Sequence, residues 1–95
     1  SGRIAGVVGE KLLALSTARQ VICVTHLAQI AALADAHYLI EKQVRGGRTF
    51  TRVQELDEEG RKRELARIIG GAGITPLTLE NAAEMLRLAR GRRKS

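Results

Sequence analysis

The sequence predicts an α/β fold, and three observations carry that prediction. Residues 21–24 (Val-Ile-Cys-Val) form a short unbroken apolar run rich in β-branched side chains, the pattern of a strand buried on both faces of a parallel sheet. Apolar residues recur at spacings of three and four before this run and again toward the C-terminal end, the period of amphipathic helices. Between these lies Arg45-Gly46-Gly47-Arg48, whose glycine pair joins two extended stretches as a hairpin turn.

Each element follows in order. From Arg3 to Thr17, Ile4, Val7, Val8, Leu12 and Leu15 fall on one helical stripe, which the spacing predicts to be the packed face. Gly6 and Gly9 lie off that stripe and weaken the helix by roughly 1 kcal/mol each relative to alanine. The strand comes next. It requires neighbours on both sides, yet only a helix precedes it, so the sheet edge reads as unfinished. A short helix over Leu27–Ala34 is expected to turn Leu27, Ile30, Ala31 and Ala34 inward and to end at Asp35-Ala36. Two strands, His37–Val44 and Arg48–Leu56, flank the glycine pair. In the first, Tyr38, Ile40 and Val44 share a face, which fits a half-exposed hairpin. Asp57-Glu58-Glu59 places acids where a helix begins, matching its positive end. Leu65, Ile68 and Ile69 line that helix, and Gly70-Gly71 stops it. Thr75-Pro76 or Thr78 starts the last helix, with Leu79, Ala82, Ala83, Leu86 and Ala89 as its buried stripe.

Composition narrows the function classes. Ninety-five residues make one small domain or part of a larger one, and a 44% hydrophobic content is that of a folded protein. Tyr38 and Phe50 are the only aromatics, which argues against a single-strand nucleic-acid binder built on stacking platforms. The net charge of +6 admits an acidic partner. Five of the sixteen basic side chains lie at the C-terminal end (Arg87, Arg90, Arg92, Arg93 and Lys94), the last of them in a basic tail over 91–95. A run of this kind is ordinarily solvated. The single cysteine, Cys23, excludes an internal disulfide and reads, inside its apolar run, as a buried small hydrophobe. No charged-then-apolar leader opens the chain, and no apolar run approaches membrane-spanning length, so a soluble cytoplasmic protein with no membrane partner is the default. Ser1-Gly2 leads straight into a helix without a methionine, as in a piece of a longer chain or a tag remnant.

The informative stretch is Val21-Ile22-Cys23-Val24-Thr25-His26-Leu27-Ala28-Gln29. Ligands bind at the carboxyl ends of strands in open α/β sheets, and a histidine there can reach a phosphate or hold an attacking water in line. His26 can equally cap the following helix or bond a neighbouring carbonyl. The stretch VICVTHLAQIAALAD resembles the switch-histidine loop of ABC-type ATPases, in the form found in the RecN branch of the structural-maintenance-of-chromosomes-like family. Ser1-Gly2-Arg3-Ile4-Ala5 resembles the segment after the Walker B acids and D-loop of that branch. HYLIEKQV, RVQELDEEGRKRELARIIGG and TPLTLENAAEMLRLA continue the similarity in order. One departure is Ala28, where the family commonly has proline.

The resemblance implies that the chain is the C-terminal part of an ABC/SMC-type ATPase head acting in DNA double-strand-break repair and recombination in the bacterial cytoplasm, at the nucleoid. It implies that His26 contacts the γ-phosphate of ATP and helps place the attacking water. Ser1 and Gly2 would be the trailing edge of a D-loop that crosses between two heads. ATP and Mg²⁺ would belong to the intact parent, and the partners would be the remainder of the head, a second head and DNA. The chain has no G-x-x-x-x-G-K-[ST] phosphate loop and no apolar run ending in Asp-Glu, so it is expected to hold no cofactor and to turn over no ATP alone. Thr25 and Gln29 lie beside His26 without an assigned role. Two histidines and one cysteine far from ligand spacing make a zinc site improbable, and Asp57-Glu58-Glu59 reads as a solvated helix start.

A rival from a different class is a small basic module that touches nucleic-acid phosphates through Arg87, Arg90, Arg92, Arg93 and Lys94. A further expectation concerns assembly: an uncovered strand at residues 21–24 and the apolar stripe of the first helix would favour a homodimer.

Overall fold

Six elements follow one another in the chain: α1 (Gly2–Ser16), α2 (Ala28–Leu33), β1 (Tyr38–Arg45), β2 (Arg48–Glu55), α3 (Glu58–Gly70) and α4 (Pro76–Lys94). The computed structural model describes residues 2–71 and 73–94, Lys94 by its backbone alone. Among the described residues no helix is long and apolar enough to cross a membrane.

Helix boundaries follow local chemistry. The Asp57 side chain accepts a hydrogen bond from the Gly60 N–H at 2.7 Å, capping α3, and Glu58 and Glu59 occupy its first turn. Gly71, at φ 66°, ends the helix while its N–H donates to the Arg67 carbonyl at 3.0 Å. At the start of α4, Thr75 and Thr78 cap each other. The Thr75 N–H donates to Thr78 Oγ1 at 2.9 Å, and the Thr78 N–H donates to Thr75 Oγ1 at 3.1 Å. Pro76 then takes the first helical position, where a missing N–H is harmless.

The core lies between α2, α3 and α4 and is made mostly of alanine: Ala31, Ala32, Leu65, Ala66, Ala82, Leu86 and Ala89. Leu65 is the largest side chain wholly removed from solvent. Small side chains let these helices approach closely, and the predicted stripe of α4 is accordingly narrowed. Ala82, Leu86 and Ala89 are buried, Leu79 is half-buried and Ala83 is exposed. On α3, Leu65 is buried as expected, Ile68 is half-buried and Ile69 reaches the surface, whereas Arg61, Glu64 and Ala66 lie inside. On α2, Ala31 and Ala32 are buried and Leu27, just before the helix, is exposed.

Two expectations are overturned. The stripe of α1 faces outward: Ile4, Val7, Val8 and Leu15 are exposed, with only Leu12 half-buried, and the packed residues are Ala5 and Gly9. The reason is close approach. A Cβ on Gly9 would stand 2.6 Å from Leu33 Cδ1, so α1 meets α2 through its smallest side chains. The strand expected at 21–24 is also absent from the sheet. Residues 20–25 adopt no regular structure, Ile22 is 85% and Val24 90% exposed, and Cys23 is an exposed free thiol rather than a buried one. An extended segment needs hydrogen-bonding neighbours to become a buried strand, and the sheet holds β1 and β2 alone among the described residues.

The hairpin forms as expected. β1 pairs antiparallel with β2 from Tyr38↔Glu55 to Arg45↔Arg48, and Gly46 and Gly47 both take positive φ (56° and 76°) at the turn. The register puts Tyr38, Ile40 and Val44 on one face with Val53, and Leu39, Gln43 and Arg45 on the other with Phe50, Arg48 and Arg52. Neither face is covered by a helix, and Leu39 and Gln43 are its only half-buried residues. The hairpin is thus more open than the half-exposed one the alternation implied.

Candidate functional site

Thr25, His26 and Leu27 form a tight turn ahead of α2. The Leu27 N–H donates to Thr25 Oγ1 at 3.0 Å, a side-chain turn that leaves the imidazole of His26 at its apex and exposed. Thr25 therefore shapes the loop. Among the described residues His26 has no hydrogen-bond partner, and it does not cap α2, whose N-cap residue Leu27 offers no side-chain bond. An imidazole so placed is free to donate to or accept from a group brought up from outside.

Gly2 lies at the same end of the molecule. A Cβ there would be 3.5 Å from Gln29 Nε2, so the start of α1 sits against the first turn of α2, three residues beyond His26. Gly2 and Gln29, far apart in sequence, are brought together. Ser1 is outside the described residues. No group of three His, Cys, Asp or Glu able to hold a metal ion occurs among the described residues.

At the opposite end of α2 lies a cluster that sequence reasoning missed. Arg61, 5% exposed, donates through one terminal nitrogen toward the carbonyls of Ala31 (3.2 Å), Ala32 (3.4 Å) and Ala34 (2.8 Å). Arg93 donates to Ala32 at 3.2 Å and Ala34 at 3.3 Å and lies 3.6 Å from Asp35. Two guanidinium groups thereby satisfy the last carbonyls of α2 at its negative end. Burial, with Arg93 nearby, pushes the Arg61 pKa down from its ordinary value. Glu64 is also buried and is held by Arg67, whose Nε donates to both carboxylate oxygens at 3.0 and 3.1 Å; the hydrogen bond to Glu64 raises the Arg67 pKa. His37 is half-buried beside this pair. Burial pushes its pKa below 6.5, Arg61 adds to that and Glu64 opposes it, and its Nδ1 has no partner among the described residues. Arg61 and Glu64 sit within a charge-dense stretch, EEGRKREL, and nothing in that pattern separates them from their solvated neighbours.

The C-terminal arginines are engaged within the fold. Arg87 pairs with Glu84 at 2.7 Å, Arg90 with Glu58 at 2.9 Å, and Arg92 with Glu10 of α1. With Arg93 on the α2 carbonyls, residues 91–94 continue α4 instead of forming a separate tail. The side chain of Lys94 is outside the described residues.

No family model matches the chain. It is similar to the DNA repair protein RecN of Halalkalibacterium halodurans, at 46% identity over 89 residues covering 94% of this chain and 16% of that protein. The DNA repair protein RecN of Bacillus subtilis is 44% identical with the same coverage. That of Deinococcus radiodurans is 47% identical over 85 residues, 90% of this chain and 15% of the relative. The chain thus spans about 16% of the length of the curated relatives it matches.

Proposed function

We propose that this chain, which belongs to the RecN family of DNA repair proteins, supplies the histidine loop of a RecN ATPase head, with His26 directed at the γ-phosphate of ATP and the attacking water. The observation that carries this reading is the exposed imidazole at the apex of the Thr25–Leu27 turn, with Gly2 of α1 against the side chain of Gln29, three residues on. The resemblance assigns these two segments to the histidine loop and the end of the D-loop, and the contact between Gly2 and Gln29 supports that reading. The parent protein would act in DNA double-strand-break repair and recombination, with DNA and a second head as partners. The chain is read as the C-terminal part of the head.

Bound ATP and Mg²⁺ supply the phosphoryl group and most of the charge neutralisation in such a reaction. The residues of this chain fit only a part of that task, since the sequence has no G-x-x-x-x-G-K-[ST] phosphate loop and no apolar run ending in Asp-Glu. Those parts would come from elsewhere in the parent. What this chain contributes is position. Thr25 Oγ1 holds the turn, the turn presents His26, and the imidazole donates to a phosphate oxygen or orients water where charge develops.

The test is His26→Ala in the full-length protein. Turnover should fall by about 100-fold while ATP affinity stays within a few-fold, because the group acts mainly in the transition state. An unchanged kcat would reduce His26 to a structural residue.

A further inference from the structure

Two sets of arginines in this chain meet different fates. Those of α4 are bound within the fold: Arg87 to Glu84, Arg90 to Glu58, Arg92 to Glu10 and Arg93 to α2 carbonyls. Those of the hairpin are not. Arg45, Arg48 and Arg52 are exposed, and no ion pair or hydrogen bond from their side chains reaches a described residue. Lys42 is exposed as well. Between residues 42 and 54 the sequence has these four basic side chains and no acidic one.

The register concentrates the charge. Arg45 stands directly opposite Arg48 at the turn, and Arg52 lies on the same face, four residues along β2 and across from Glu41, with which it forms no ion pair. Like charges directly opposite each other on a strand pair are destabilising, so the fold gains nothing from this placement. Phe50, opposite Gln43, lies between the arginines, and with Gln43, Arg45 and Arg52 it lines a shallow open depression. No helix covers either face of the hairpin.

We infer that the β1–β2 ribbon is a contact surface for duplex DNA, with Arg45, Arg48 and Arg52 binding phosphates. Shape favours this partner over an acidic protein. A two-stranded ribbon fits the major groove of B-form DNA, which is about 12 Å wide, and guanidinium groups flanking a groove meet phosphate oxygens two at a time. Because phosphate contacts carry no sequence information, binding through these arginines is expected to show little sequence preference. The inference rests on the parent working on DNA and is independent of the role given to His26.

The experiment uses the full-length protein and a mixed-sequence duplex titrated across a range of salt concentrations. The triple variant Arg45→Ala/Arg48→Ala/Arg52→Ala should bind at least about tenfold more weakly at low salt. Its plot of log affinity against log salt should be shallower by about 2.7, at 0.9 per lost phosphate contact. Replacing the same three arginines with lysine should restore the slope, which a misfolded hairpin would not. The pair Arg87→Ala/Arg90→Ala should leave the slope unchanged. DNA-free ATP turnover of the hairpin variant should match wild type, and His26→Ala should retain the wild-type slope, so the two readings fail separately. An unchanged slope in the triple variant, or a slope carried by Arg87 and Arg90, would overturn the inference. Equal loss in the alanine and lysine variants would do the same.

Discussion

The two ends of α2 differ in almost every respect. At its C-terminal end the carbonyls of Ala31, Ala32 and Ala34 accept hydrogen bonds from Arg61 and Arg93, which arrive from α3 and α4. At its N-terminal end the chain enters through residues 20–27, with Ile22, Val24 and His26 exposed and one side-chain bond, from Leu27 to Thr25, holding the turn. The closed end shows what charged residues do when they are spent on the fold: they satisfy backbone groups and lose their access to solvent. The open end leaves the imidazole of His26 exposed and without a hydrogen-bond partner among the described residues. The same contrast separates the bound arginines of α4 from those of the hairpin, whose side chains reach no partner among the described residues.

The contrast can be broken or sharpened by substitution in this chain. Leu65, wholly buried beneath the closed end, should respond most. Leu65→Ala is expected to cost about 3 kcal/mol in urea unfolding, through lost burial and the cavity left behind. Ile22→Ala at the open end should change stability by less than about 0.5 kcal/mol, as exposed side chains do. Comparable losses at both positions would mean that residues 21–24 are packed after all.

Arg61 comes next. Arg61→Met keeps most of the side-chain volume but removes the donor to Ala31, Ala32 and Ala34. A loss of about 2 kcal/mol is expected, because buried carbonyls are left with fewer donors. Arg93 still reaches two of the three, which sets the figure below that for Leu65. Thermal unfolding of single and double variants with Arg93→Ala measures the coupling, and strict additivity would argue against a shared clamp.

The smallest effect concerns acidity. Burial, and then Arg61, hold the His37 pKa in the fold below the ordinary 6.5, with Glu64 opposing them. The unfolded chain therefore takes up its proton first as pH falls. This contribution to stability is present above about pH 6.5 and is lost on acidification below it, until the folded ring also titrates. Unfolding midpoints compared between about pH 7.5 and 5.5 should fall for the wild type by more than for His37→Asn. An equal fall in both would place the acid sensitivity elsewhere.

Much of this organisation was legible in the sequence because its cause is local. Asp57, Gly71 and the Thr75-Pro76-Thr78 group mark helix ends through bonds spanning three or four residues, and Gly46-Gly47 sets the hairpin turn through its own φ angles. The turn at Thr25–Leu27 is likewise local, held by one bond across two residues. Burial was another matter. Residues 21–24 have the composition of a core strand, but a strand is buried only where neighbours exist, and none pairs with them among the described residues. The aliphatic stripe of α1 has the right period, yet α2 packs against Ala5 and Gly9 because small residues allow the closest approach. Arg61 and Glu64 look like their exposed neighbours in sequence and differ only in facing α2 and His37. Periodicity and turn chemistry act within a few residues and so determined the elements, whereas which surfaces meet depends on partners distant in the chain, and only the tertiary structure decided that.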